Sequence, residues 1–166
     1  MPSTIVTLTV NGQEAEFLAK PGTTLLSALR DTLGLVAAKR GCAQGTCGSC
    51  AVIVDGLEVP SCLILVETID GAEVRTLEGL ADGNNLSPLQ TAFVEGFATQ
   101  CGFCTSGMLM AATALLEENA APTRDDVVRA ISGHVCRCTG YEPIIDAVLV
   151  AAAARQDAAV ASSAAD

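Results

Sequence analysis

Hydrophobic and polar positions change their rhythm once along this chain. From Ile5 to Val10 they alternate, with Val6, Leu8 and Val10 on one side and Ile5, Thr7 and Thr9 on the other. A period of two predicts a strand with one buried face. Asn11-Gly12 is a type I′ hairpin signal, and Glu14 to Leu18 reads as the return strand. Pro21-Gly22 breaks the sheet. Thr23 or Thr24 can cap a helix reaching Leu33, with Leu25, Leu26, Leu29 and Leu33 on one face and Gly34 at its end. Ala51 to Val54, Leu57 to Ser61, Leu63 to Ile69 and Glu73 to Leu77 read as short strands. Turns at Asp55-Gly56 and Asp70-Gly71 separate them.

Past a polar stretch at Ala81 to Asn85 the period becomes that of helices. Ser87-Pro88-Leu89-Gln90 combines a capping box with proline at the first helical position, predicting a helix to about Thr99. Thr105 to Glu118 is a second, with Met108, Leu109, Ala112 and Leu115 or Leu116 buried. Thr123 opens a third, carrying Val127, Val128 and Ile131 and stopped by Gly133. Glu142-Pro143 opens a fourth, with Ile144, Ile145, Val148 and Leu149. From about Arg155 the chain is rich in Ala and Ser and is expected to fray. The pattern predicts an α+β protein: a small sheet-based unit over residues 1–80, a four-helix unit over 81–155, and a tail over 156–166.

Composition narrows the function. Among 166 residues, 50% are hydrophobic but only 3% aromatic, so the core is aliphatic. A net charge of −10 argues against a nucleic-acid partner, because phosphate binding needs a basic patch. No run approaches the roughly 18 apolar residues of a spanning helix, so no membrane insertion is expected. The start, MPSTIVTLTV, lacks the basic and apolar regions of a signal peptide, which predicts a cytoplasmic protein. Eight cysteines in a reducing compartment point to metal rather than disulfides.

The cysteines fall into two sets. GCAQGTCGSC places Cys42, Cys47 and Cys50 in C-x4-C-x2-C spacing, and Cys62 follows after a hydrophobic run. This is the plant-type spacing for a 2Fe–2S cluster. A short loop must curl around the iron–sulfide rhomb with its N–H groups near the sulfurs, and glycine permits that curl. Cys101 and Cys104 in QCGFCTSGM, with Cys136 and Cys138 in HVCRCTGYEPI, form the second set. Each pair lies in a linker just before a predicted helix, where a helix N-terminus favours an anion. By spacing alone this set suits a 2Fe–2S cluster, a four-cysteine zinc site, or free core thiols.

GCAQGTCGSC, Ser61-Cys62, QCGFCTSGM and CRCTGYEPI, taken in order, resemble the iron–sulfur subunit of the molybdenum hydroxylases. That family includes xanthine dehydrogenase, aldehyde oxidoreductases and carbon monoxide dehydrogenase. The resemblance runs from the first strand to about residue 154. It implies a β-grasp ferredoxin domain followed by a four-helix domain, each with one 2Fe–2S cluster. Cys42, Cys47, Cys50 and Cys62 match the ligands of the first, and Cys101, Cys104, Cys136 and Cys138 those of the second. Gln100 and Cys138 match positions that lie against the molybdopterin cofactor of a partner chain. The implied partners are a molybdenum-binding large subunit and an FAD-binding medium subunit, commonly in a dimer of heterotrimers. Ser106 stands where the family usually has proline, His134 where asparagine is usual, and Val135 where Leu or Ile is usual.

Single residues around the second set have plainer readings. His134, the one histidine, stands beside a complete cysteine set and reads as a packing or hydrogen-bonding residue. Phe103 and Tyr141 read as shields against water. Arg137 reads either as a cation stabilising a reduced cluster or as half of an ion pair. No residue is expected to perform acid–base or nucleophilic chemistry. The implied function is relay of single electrons from a molybdenum centre in a partner to FAD or another acceptor. A free-standing two-cluster carrier and a zinc-stabilised interaction module are the rivals.

Overall fold

The computed structural model describes residues 2–163, with side chains to residue 157. Strands β1 (Thr4–Val10) and β2 (Gln13–Ala19) pair antiparallel across the Asn11-Gly12 turn. Both turn residues take positive φ, 51° and 77°, as a type I′ turn requires. β3 (Ala51–Val54) and β4 (Leu57–Pro60) form the second hairpin around Asp55-Gly56. β5 (Glu73–Arg75) joins the two, parallel to β1 and antiparallel to β3. The sheet order is β2-β1-β5-β3-β4. Val6, Leu8 and Val10 are buried while Ile5 is 58% exposed, as the alternation predicts.

Two sequence expectations in this half change. The helix begins as α1 (Leu25–Ser27), capped by the Thr24 side chain, then widens into a π turn over Ala28–Thr32 closed by Leu33 N–H to Ala28 O. The π turn keeps Leu29 buried and lets Arg30 donate to the Val36 and Ala38 carbonyls at 2.8 Å. Leu63 to Ile69 is not a strand. Its backbone is spent on α1's entry, through Leu25 N–H to Ile64 O and Val66 N–H to Thr23 O. It then closes a 3₁₀ turn at Val66–Thr68.

The helical half holds α2 (Pro88–Glu95), α3 (Thr105–Glu118), α4 (Arg124–Ile131) and α5 (Glu142–Ser163). Ser87-Gln90 and Thr123-Asp126 form complete capping boxes. α2 stops four residues before Thr99, because Gly96 and then Phe97, at φ 52°, turn the chain away. α5 continues to Ser163, through the stretch expected to fray, consistent with alanine's high helix propensity. Val128 is 43% exposed, one position off the stripe of Val127 and Ile131. Leu89, Phe93, Met108, Leu116, Ile131, Ile144 and Val148 share one core.

The halves meet along β3 and α3. All four β3 residues are buried. Val52 and Val54 face the sheet-side core. Ala51 and Ile53 face the other way, into a cluster with Met110, flanked by Leu77, Leu80 and Ala114. Each large side chain buried there contributes about 1.5–3 kcal/mol. Arg75 on β5 adds a two-pronged pair to Glu117 on α3 at 2.6 and 2.7 Å.

Candidate metal centres

Strand register builds half of the first site. Ala51 pairs with Pro60 at one end of the β3–β4 hairpin. Cys50 directly precedes the one and Cys62 follows just beyond the other, so the register itself brings their thiols together. Ser61 fastens this end with its hydroxyl 2.6 Å from the Cys50 carbonyl. The remaining two thiols sit on a loop with positive φ at Ala43, Gly45 and Gly48. Gln44 and Thr46 donate backbone N–H groups to Cys42 Sγ at 3.4 and 3.3 Å. The Thr46 side chain and these N–H groups lower the Cys42 thiol to about 6. A Cβ on Gly41 would lie 2.8 Å from Cys47 Sγ, so a larger residue there would displace that thiol.

Helix starts build the second site. Cys104 is the N-cap of α3, and Cys136 and Cys138 lie on the loop before α5. Tyr141 fixes that loop: its hydroxyl accepts from Cys136 N–H at 2.9 Å and donates to the His134 carbonyl at 3.2 Å. Thr139 Oγ1 lies 3.1 Å from Cys136 Sγ. Burial raises Cys136, but the Thr139 hydroxyl and backbone N–H groups outweigh it and leave the thiol at about 7. Burial pushes Cys104 up to about 12, with Cys136 adding to the rise.

All eight thiols are free of disulfides. Within each set thiol acts on thiol: Cys47 lowers Cys42, while Cys50 raises Cys62, Cys136 raises Cys104 and Cys101 raises Cys138. Among the described residues, no three His, Cys, Asp or Glu side chains close around a point suited to a single ion. A zinc ion needs four ligands at about 2.3 Å from one centre. Four thiolates are the demand of a 2Fe–2S rhomb, and each set fits it in donor type and number.

The two sites touch. Val135 N–H donates to the Cys47 carbonyl at 3.0 Å, so a residue of one set is one hydrogen bond from the neighbour of Cys136 in the other. Ser106 Oγ, where proline was the usual residue, reaches the Ser49 carbonyl at 3.4 Å. A Cβ on Gly107 would collide with the Gly48 carbonyl. Phe103, read as a shield of the second site, is 47% exposed and lies toward Gly41 of the first loop. Arg137 is exposed and forms no ion pair among the described residues. Gln100, Cys101 and Cys138 are exposed together, whereas Cys104 and Cys136 lie deeper.

Comparison with known proteins agrees with this division. Residues 8–81 match the 2Fe-2S iron-sulfur cluster binding domain, and residues 76–149 match the [2Fe-2S] binding domain. The nicotine 6-hydroxylase small subunit of Paenarthrobacter nicotinovorans is 49% identical over 140 residues, 84% of each chain. The chain belongs to the iron–sulfur subunits of the molybdenum hydroxylases. The xanthine dehydrogenase iron-sulfur-binding subunit of Escherichia coli O157:H7 is 46% identical, covering 85% of this chain and 89% of that one. Among solved structures, quinoline 2-oxidoreductase from Pseudomonas putida 86 superposes with a TM-score of 0.89 at 46% identity, over 94% of this chain and 98% of that one. Two 2Fe–2S clusters and an electron-transfer role in a multi-subunit oxidoreductase come with membership. No helix among the described residues is long and apolar enough to cross a membrane.

Sequence reasoning missed the residues that tune the thiols, Thr46 and Thr139, and those that join the loops, Gly48, Ser49 and Gly107. One signal was present: a glycine inside a helix weakens it, so Gly107 needs a packing reason.

Proposed function

We propose that Cys42, Cys47, Cys50 and Cys62 hold one 2Fe–2S cluster, and Cys101, Cys104, Cys136 and Cys138 the other. The observation that carries this is the placement of one set of four cysteines by the β3–β4 register and the first loop, and of the other by the starts of α3 and α5, with the sets joined by Val135 N–H and the Cys47 carbonyl. Each cluster, when bound, accepts and releases one electron at a time. The protein's part is to hold the thiols, aim N–H groups at sulfur and exclude water, which are the levers on potential. We place the domains at residues 1–80 and 81–155, with residues 156–166 following on α5.

The exposed group of Gln100, Cys101 and Cys138 is the natural face for a molybdopterin-bearing subunit, with Gln100 and Cys138 against the pterin. Electrons enter there, cross at the Val135–Cys47 contact, and leave past the exposed loop at Ala43-Gln44 toward an FAD subunit or another acceptor. The complex is a cytoplasmic dimer of heterotrimers in this reading. Iron and acid-labile sulfide content, two distinct EPR signals after reduction, and co-purification with molybdenum- and flavin-containing chains test it. A single signal in fully iron-loaded protein, or one zinc per chain, refutes it.

A further inference from the structure

His134 has no role in the reading above, and its surroundings are unusual. The side chain is 4% exposed, yet neither ring nitrogen has a hydrogen-bond partner among the described residues. The nearest carboxylate oxygen, Glu58 Oε1, stands 3.6 Å from Nε2, outside hydrogen-bonding range. Burying two polar nitrogens this way is unfavourable, so hydrogen bonding does not explain why the ring is there. Its flat faces do. A Cβ on Gly48 would lie 2.6 Å from Cγ and 2.9 Å from Cα of His134, so the first loop's glycine lies directly on the residue. A Cβ on Gly107 would come within 3.2 Å of Cδ2, so the start of α3 lies on the same ring. The backbone beside the ring is anchored by His134 N–H to Ile131 O at 2.9 Å and by Tyr141 Oη to the His134 carbonyl at 3.2 Å. The next residue, Val135, makes the single hydrogen bond to Cys47.

We propose that His134 is a positioning residue for electron exchange between the two clusters: its ring, wedged against Gly48 and Gly107, fixes the spacing of the two cysteine loops and keeps Val135 N–H on the Cys47 carbonyl. This rests on the assignment of one cluster to each cysteine set. The exchange itself moves one electron: one cluster is oxidised by one electron as the other is reduced by one, and no bond forms or breaks. Because the ring packs against Gly48 and Gly107 and makes no hydrogen bond among the described residues, its shape carries the role. A side chain of similar flatness should substitute, and a small one should not.

The test uses the assembled complex with His134→Ala, His134→Ser and His134→Phe. Iron and sulfide content checks the cluster assignment separately. Two readouts then report the loops: magnetic interaction between the clusters in EPR of fully reduced protein, and the rate of internal electron equilibration after rapid reduction. With both clusters retained, His134→Ala should weaken the interaction and slow equilibration severalfold, and His134→Phe should restore both toward the parent values. Unchanged coupling in His134→Ala, or His134→Phe as impaired as His134→Ala, overturns the proposal. If His134→Ala does not assemble, the same comparison runs between Phe and Ser: coupling kept in Phe and reduced in Ser supports the wedge, and the reverse refutes it.

Discussion

Gly107→Ala isolates the contact between the two cysteine loops from the chemistry of the sulfurs. Gly107 lies in the first turn of α3, two residues past Thr105, and is buried. On propensity alone, alanine would stabilise the helix by about 1 kcal/mol. The added methyl, however, would run into the Gly48 carbonyl oxygen and lie 3.0 Å from its carbon. That obstacle is backbone, held by Ala51 N–H to Gly48 O at 3.0 Å, so it cannot swing aside as a side chain could. Overpacking of this kind costs about 1–3 kcal/mol, and contact with fixed backbone places it toward the upper end. Subtracting the propensity gain leaves a net loss of about 1–2 kcal/mol, or about 2–8 °C in Tm for a chain of this length. Gly133→Ala is the control. Nothing lies within 4 Å of a Cβ at Gly133 and its φ is not in the left-handed region, so stability should hold or rise by up to about 1 kcal/mol. Thermal and denaturant unfolding of both variants with full iron content gives the comparison. Equal Tm values for the two would show that the loops do not press on each other as described.

Other outcomes follow from the same geometry. Cys138→Ser should abolish one EPR signal and spare the other, and Cys62→Ser should do the converse; loss of both signals from either change would break the two-site assignment. A double-mutant cycle on Arg75 and Glu117, whose side chains are 31% and 40% exposed, should give a coupling of about 0.5–1 kcal/mol that shrinks in high salt. Zero coupling at low salt would remove that pair from the account of docking. The Thr123 hydroxyl, the Thr123 N–H and Arg129 hold the Asp126 carboxyl at about 2, below its usual 3.8. The charged form is the favoured one when folded, so its stabilisation is present above pH 3.8 and disappears as pH falls toward 2. The stability gap between the parent and Asp126→Asn should therefore narrow across that window; a gap independent of pH would contradict the cap geometry.

Local rules carried the reading wherever a side chain answers to its own neighbours in sequence. The Asn11-Gly12 hairpin and both capping boxes follow from turn and cap chemistry and were legible. Family membership was legible because the cysteine motifs that carry it are local too. Leu63 to Ile69 misled because its apolar content matches a strand, whereas strand identity depends on a free sheet edge and here the backbone is taken by α1. The π turn after α1 was hidden for a related reason: its widening serves Arg30's reach to Val36 and Ala38, which no periodicity encodes. Neither could the chain alone reveal that Ser106 and Gly107, far from the first cysteines in sequence, press on Gly48 and Ser49.

That long-range contact bears on whether the first half could serve alone as a small carrier. A strand of a free ferredoxin-like sheet that faced water on one side would alternate buried and exposed residues. β3 does not: Ala51 and Ile53, on the side away from the sheet's own core, are each 1% exposed, and both are covered by Met110 from α3. Removing the helical half would uncover that apolar strip. It would also free the Cys47 carbonyl and the Gly48 backbone from Val135 and Gly107. The sheet half expressed alone, residues 1–80, should consequently be less stable and more prone to association than the same segment with Ile53→Thr. Should it instead be monomeric and as stable as the full chain, with its cluster signal unchanged, the two halves would be linked carriers rather than one unit. The packing argues for one unit, in which the cluster loops are held at a fixed separation by the same surface that completes the sheet's core.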